Sequence, residues 1–203
     1  MSTRGEVASE AARLIYYNKV KEYKDAKDMA ASSLNTKELP SNYEVALELD
    51  RIVEDSEGSD RLNMLIEMRK IALEVMKKIK EYNPLLIGSV WRGTSRKGSD
   101  IDIIIYSEDL RKVKKQLKDY EIISIDSTEF NLRKVSLSSF HINLDIKDHP
   151  VEIIVRSPND RDFYKNEKCE TYGDIKRGMN IQNLEKLIEV DPLRRFIPKR
   201  RNR

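Results

Sequence analysis

Apolar residues recur at helical spacing through residues 7–32, where Ala12, Leu14, Ile15, Val20 and Tyr23 are separated by charged positions. That spacing predicts one helix. Leu39-Pro40-Ser41-Asn42 interrupts it, and Ser41 or Asn42 then serves as the N-cap of a second helix running to Val53. Ser56-Glu57-Gly58-Ser59 ends the second helix. A third is expected over residues 60–82, with Leu62, Leu65, Ile66, Met68, Ile71, Ala72, Val75, Met76 and Ile79 as its apolar stripe. Asn83-Pro84 closes it.

From residue 85 the pattern becomes that of strands. An apolar run, Leu85-Leu86-Ile87, stops at Gly88-Ser89, passes through a basic, Gly-rich turn and restarts over residues 101–106, headed by Asp100 and Asp102. Ser107, followed by Glu108 and Asp109, reads as the N-cap of a helix reaching about Tyr120. Residues 121–130, 140–146 and 151–156 read as further strands, the last two joined by Lys147-Asp148-His149-Pro150 as a hairpin turn. Ser157-Pro158 opens a short helix, residues 173–178 form a loop, and residues 179–190 form a last helix stopped by Asp191-Pro192. The tail from Pro198 is expected to be disordered unless a partner orders it. The fold class is therefore α/β (α+β), a mixed sheet flanked by helices with an N-terminal helical segment. The expected organisation is a helical segment at 1–83, a core at 84–157 and a C-terminal helical segment with a basic tail at 158–203.

Composition narrows this picture. A chain of 203 residues suffices for one sizeable core with helical additions. Charged residues make up 36%, against roughly 25% in an average globular protein, but the net charge is only +3. The positive excess is local, in Lys199-Arg200-Arg201-Arg203 and around Arg92, Arg96 and Lys97, where it could meet phosphate. Cys169 is the single cysteine, so no internal disulfide forms, and no apolar run is long enough to span a membrane. A soluble cytoplasmic protein is expected.

The chemistry concentrates in residues 85–107. Strand side chains alternate, so Asp100 and Asp102 project from one face about 7 Å apart, while Ile101 and Ile103 face the other way. Two carboxylates on one face cannot be buried without cations, and metal ions are the natural partner. Taken singly, aspartates at a strand edge and a Gly-Ser pair are ordinary turn residues; their order and spacing together favour a functional reading. A third carboxylate would come from Glu152 or Asp145, Glu152 being favoured because it opens a strongly apolar strand as Asp100 does. Trp91 could stack a base, though burial against the first helix is the simpler expectation. His141 and His149 read as a strand and a turn residue, and Cys169 as an unreactive thiol.

Gly88-Ser89, Arg92-Gly93-Thr94 and Ser99-Asp100-Ile101-Asp102, with one more carboxylate on a later strand, resemble the DNA polymerase beta type nucleotidyltransferase superfamily. The window is most similar to its archaeal CCA-adding and minimal branches. The segments LPSNYEVALELD and DPLRRFIPKR resemble predicted archaeal nucleotidyltransferases. The resemblance implies two Mg²⁺ ions on Asp100, Asp102 and Glu152. It further implies an NTP held by Gly88, Ser89, Arg92, Thr94 and Ser99, and transfer of a nucleoside monophosphate to a hydroxyl of RNA, a protein or a small molecule. Glu152 departs from the superfamily's usual aspartate, which leaves a metal-ligand and a general-base role both open. The rival readings are an AMP-transferring partner of a toxin-like protein and a non-catalytic nucleotide- or RNA-binding module.

Overall fold

A computed structural model of the chain describes residues 3–132, 135–161 and 167–199. The chain divides into two compact units, one built from 1–61, 168–174 and 198–203, the other from 62–167 and 175–197. Among the described residues no helix is long and apolar enough to cross a membrane.

In the first unit the helix expected over 7–32 is two, α1 (Thr3–Tyr16) and α2 (Tyr23–Ser33). Asn18 stands between them in the left-handed region at φ 53°, a conformation that asparagine tolerates and a helix cannot continue through. Ala8, Ala11 and Ala12 of α1 are buried with Ala26, Ala30 and Ala31 of α2 and with Val7, Ile15 and Val45. The short side chains let the helices approach closely. α3 (Asn42–Lys78) begins with a capping box. The Ser41 amide and hydroxyl donate to Glu44 Oε2 at 2.7 and 2.6 Å, and the Glu44 amide donates back to Ser41 Oγ at 3.3 Å. Arg4 adds a two-pronged contact to the same carboxylate, Nε to Oε1 at 2.9 Å and Nη2 to Oε2 at 2.7 Å. The stop expected at residues 56–59 is a kink inside α3: Gly58 takes φ 49°, ψ −127° and helix resumes after it. A glycine without a Cβ absorbs this turn at one residue.

The second unit is an α+β layer structure around a five-stranded mixed sheet of order β1-β2-β5-β4-β3. Its strands are β1 (Leu85–Ile87), β2 (Ile101–Tyr106), β3 (Ile122–Leu132), β4 (Val135–Ile146) and β5 (His149–Arg156). β2 runs parallel to β5, and every other neighbouring pair is antiparallel. Alternation sorts the side chains. Ile101, Ile103, Ile105, Ile142, Leu144, Val151, Ile153 and Val155 are buried together with Met68, Ile71 and Val75 of α3 and with Leu184 and Leu187 of the last helix. The intervening positions, Asp102, Asn143 and Glu152 among them, fall on the opposite face of the sheet.

Several boundaries shift from their expected places. β4 starts at Val135 rather than 140, because burial here does not follow residue type: Leu137 and Ser139 are buried while Phe140 is exposed, so no apolar–polar alternation marks the strand in the sequence. The turn into β5 is only Lys147-Asp148, both left-handed at φ 55° and 62°, so His149 and Pro150 already belong to the strand. A two-residue turn with two positive φ values suits the twist of a hairpin. α5 (Leu110–Gln116) is capped by Asp109, whose carboxylate accepts from the amides of Arg111 and Lys112. Ser107 Oγ accepts from the Asp109 amide instead of capping the helix. Asn180 caps α6 (Ile181–Val190). Met179 instead exchanges two 2.9 Å backbone hydrogen bonds with Leu86, covering the free edge of β1. Ser157 accepts from the Asn159 amide at a three-residue 3-10 turn, Pro158–Asp160. At the expected tail, the Pro198 carbonyl accepts from the Tyr43 hydroxyl at 3.1 Å within the first unit; residues 200–203 lie outside the described residues.

Candidate functional site

The site grows from the β1–α4–β2 segment, where α4 is Gly88–Arg92. Ile87 pairs with Asp102 in the antiparallel register, and the chain then leaves the sheet at Gly88 with φ 70°. A Cβ there would sit 1.9 Å from Asp102 Oδ2 and 2.9 Å from its Cγ. Glycine is therefore required twice, by its dihedral and by the carboxylate in the space beside it. Gly93 ends α4 in the left-handed region, and the Thr94 amide donates back to the Ser89 carbonyl at 2.9 Å. Ser99 closes the next turn: the Arg96 amide donates to its hydroxyl at 3.0 Å and its own amide to the Arg96 carbonyl at 2.9 Å. Asp100 follows directly.

Parallel pairing of β2 with β5 sets Asp102 beside Glu152. Asp100 is exposed, the other two are half-buried, and the three offer carboxylate oxygens all within 4.8 Å of one another. Burial pushes the Asp102 carboxyl up to about 8, and the charges of Asp100 and Glu152 and a hydrogen bond to Glu152 push the same way. Alone at neutral pH this carboxyl keeps its proton. Three oxygen donors of like charge, one of them fitted against a glycine that leaves it room, match the needs of a hard divalent cation. Asp145, the other candidate, is exposed near the end of β4 opposite Pro150.

One neighbour of the cluster was read from the sequence only as a strand residue. His141 Nδ1 lies 2.8 Å from Glu152 Oε1, and its Nε2 lies 2.6 Å from Thr128 Oγ1 and 2.9 Å from Ser139 Oγ. A two-residue turn at Lys147-Asp148 fixes the β4–β5 register that brings the ring there, so a shorter reading of that turn would have revealed the pairing. Asn143, opposite Glu152, donates to Ser124 Oγ at 2.9 Å and Asp126 Oδ2 at 3.0 Å, so the polar row continues across the sheet.

Arg92 and Trp91 turn inward. Arg92 is 5% exposed, its Nη1 donates to the Phe196 carbonyl at 3.1 Å, and its guanidinium lies 4.7 Å from the Trp91 ring centre. Trp91 stacks on Phe196 with ring centres 6.1 Å apart. Beneath them the buried Arg69 donates to the carbonyls of Val90, Trp91, Pro192 and Arg194 at 2.6–3.1 Å. Burial lowers its pKa to about 10, against the pull of Asp191. His149 pairs with Glu67 at 3.5 Å, and Cys169 is half-buried.

Comparison with known proteins gives a limited frame. Residues 70–157 match the family described as a domain of unknown function, DUF4269. No curated protein matches. Among solved structures, the chain is similar to one titled "structure of GLD-2/RNP-8 complex", at 15% identity and TM-score 0.34 over 61% of this chain and 45% of that one. It is also similar to one titled "Structure of the non canonical Poly(A) polymerase complex GLD-2 - GLD-3", at 16% identity and TM-score 0.32 over 58% of this chain and 40% of that one. The chain thus spans less than half the length of either structure it matches.

Proposed function

We propose that the protein is a divalent-metal-dependent nucleotidyltransferase that moves a nucleoside monophosphate from an NTP to a hydroxyl acceptor on RNA or protein. The observation that carries this reading is the meeting of Asp100, Asp102 and Glu152 oxygens within 4.8 Å, beside the Gly88-Ser89 turn. The sequence pattern of that turn and its Asp-x-Asp strand supports it. In this proposal the acceptor oxygen attacks the α-phosphorus, the bond from that phosphorus to the oxygen bridging to the β-phosphorus breaks, and pyrophosphate departs with the bridging oxygen. The hydroxyl proton passes to Glu152 and then to solvent.

Asp100, Asp102 and Glu152 would hold two Mg²⁺ ions, which supply charge neutralisation of the triphosphate and a lowered pKa for the attacking hydroxyl when bound. Gly88, Ser89, Thr94 and Ser99 would line the triphosphate with backbone and hydroxyl donors. Arg92 has a different part in the proposal from the one its residue type suggests. It is buried with Nη1 directed at the Phe196 carbonyl, so it holds α4 in place and leaves phosphate contact to the turn. The test is pyrophosphate release from each of the four NTPs with Mg²⁺ in the presence of total RNA or protein. Wild type should release it and Asp102→Asn should lower the rate by about 10²–10³-fold. Release unchanged by that substitution would remove the carboxylate cluster from the reaction.

A further inference from the structure

We propose that His141 is a positioning residue for Glu152: its ring, clamped by two hydroxyls, holds that carboxylate in the orientation a bound cation requires. This rests on the metal-binding reading of the carboxylate cluster and adds a residue outside that cluster to it.

The geometry is specific. Thr128, Ser139, His141 and Glu152 come from three adjacent strands and form one connected chain of polar atoms. Thr128 Oγ1 and Ser139 Oγ stand 3.1 Å apart, both reach the ring at Nε2, and Nδ1 points at Glu152 Oε1. The neutral ring satisfies every member. Nδ1–H donates to the carboxylate, Nε2 accepts from one hydroxyl, and the second hydroxyl donates to the first. Only one neutral tautomer fits this pattern, and it takes one lone pair of Oε1, leaving the rest of the carboxylate to face Asp102. The clamp therefore fixes both the ring and the carboxylate beyond it, as outer residues commonly do for metal-ligating side chains.

Packing gives no competing reason for a histidine. The His141 and Glu152 side chains keep 21% and 27% of their surface exposed, and His141 lies on the face of β4 opposite the core residues Ile142 and Leu144. A glutamate on that face would otherwise sample several rotamers. Glu152 has a longer side chain than an aspartate at the same register position, so it gains more from an external restraint.

Direct Mn²⁺ titration followed by electron paramagnetic resonance tests this without any turnover. His141→Phe keeps a ring and removes the donor, and Mn²⁺ should bind about 10–100-fold more weakly. His141→Asn places an amide N–H where Nδ1 stood and should restore affinity to within about threefold of wild type. Thr128→Val, at an exposed strand position, removes one side of the clamp with little risk to folding and should weaken binding several-fold; it decides the matter if His141→Phe does not fold. Wild-type affinity in both His141→Phe and Thr128→Val would overturn the proposal, as would equal losses in His141→Asn and His141→Phe. Absence of Mn²⁺ binding by wild type itself would overturn the metal-site reading, whereas unaffected variants beside a binding wild type would remove His141 alone.

Discussion

Asp102 shows most directly what the site costs the fold. Its half-buried carboxyl stands on β2, between β1 and β5, with two other carboxylates near it, and its pKa is pushed up to about 8. A folded-state pKa above the unfolded value of an acid means that the fold binds the proton more tightly. Stability of the metal-free protein therefore falls as pH rises from about 4 towards 8. Asp102→Asn keeps the shape and removes the charge. Its melting temperature without metal at pH 8 should exceed that of wild type by about 2–4 °C, a change of order 1 kcal/mol for a chain this long, as calorimetry would measure. An unchanged or lower melting temperature would show that the carboxylate is not strained by its neighbours. Much at this scale was legible in advance. Asp100, Asp102 and Glu152 were singled out from strand alternation and motif order, and they meet within 4.8 Å. The inward turn of Arg92 was not legible, because its partner Phe196 is over a hundred residues away and accepts through a backbone carbonyl that any residue carries.

At the scale of elements, α4 is five residues long and could not stand by itself. Arg69 of α3 compensates, spending its donors on two carbonyls of α4 and two of the segment that follows α6. Arg69→Met preserves the stem and leaves those buried carbonyls unmet. A loss of roughly 3–5 kcal/mol in denaturant unfolding is expected, and a loss below ~1 kcal/mol would deny it the role of keystone. The helical stripe from Leu62 to Ile79 announced the helix but not the burial of Arg69. Hydrophobic pattern reports burial of apolar groups and says nothing of a guanidinium whose partners are carbonyls. Strand ends escaped for a related reason: in the outer half of the β3–β4 hairpin residue type does not follow burial, Ser139 being buried and Phe140 exposed, while β2 and β5, seated on the core, stood out.

For the molecule as a whole, the two compact units respond differently to pH. In the first, the Arg4 hydrogen bonds, reinforced by Ser41, hold Glu44 down to about 2 despite its partial burial. A depressed carboxyl contributes stability that is complete above its unfolded pKa near 4.3 and is lost as pH falls towards 2. Glu44→Gln should lower stability by about 1 kcal/mol at pH 6, the exposed fork of Arg4 being partly screened by solvent, and make no difference near pH 2. Urea unfolding at the two pH values, followed by far-ultraviolet circular dichroism, measures it; an equal difference at both would assign the effect to packing. Cap chemistry at Ser41 was readable because a capping box is local, four residues long. The break at Asn18 was hidden because alanines and polar residues on both sides satisfy helical spacing equally well.

The central claim is that Asp100, Asp102 and Glu152 serve cleavage between the α- and β-phosphates of an NTP. Parallel reactions with NTP labelled at the α- or at the γ-phosphate, each with Mg²⁺ and total RNA or protein, test it most directly. The account predicts that α-label becomes attached to an acceptor, that γ-label appears only as pyrophosphate, and that Asp102→Asn abolishes both. Transfer of γ-label to an acceptor, or α-label transfer that survives Asp102→Asn, would contradict it.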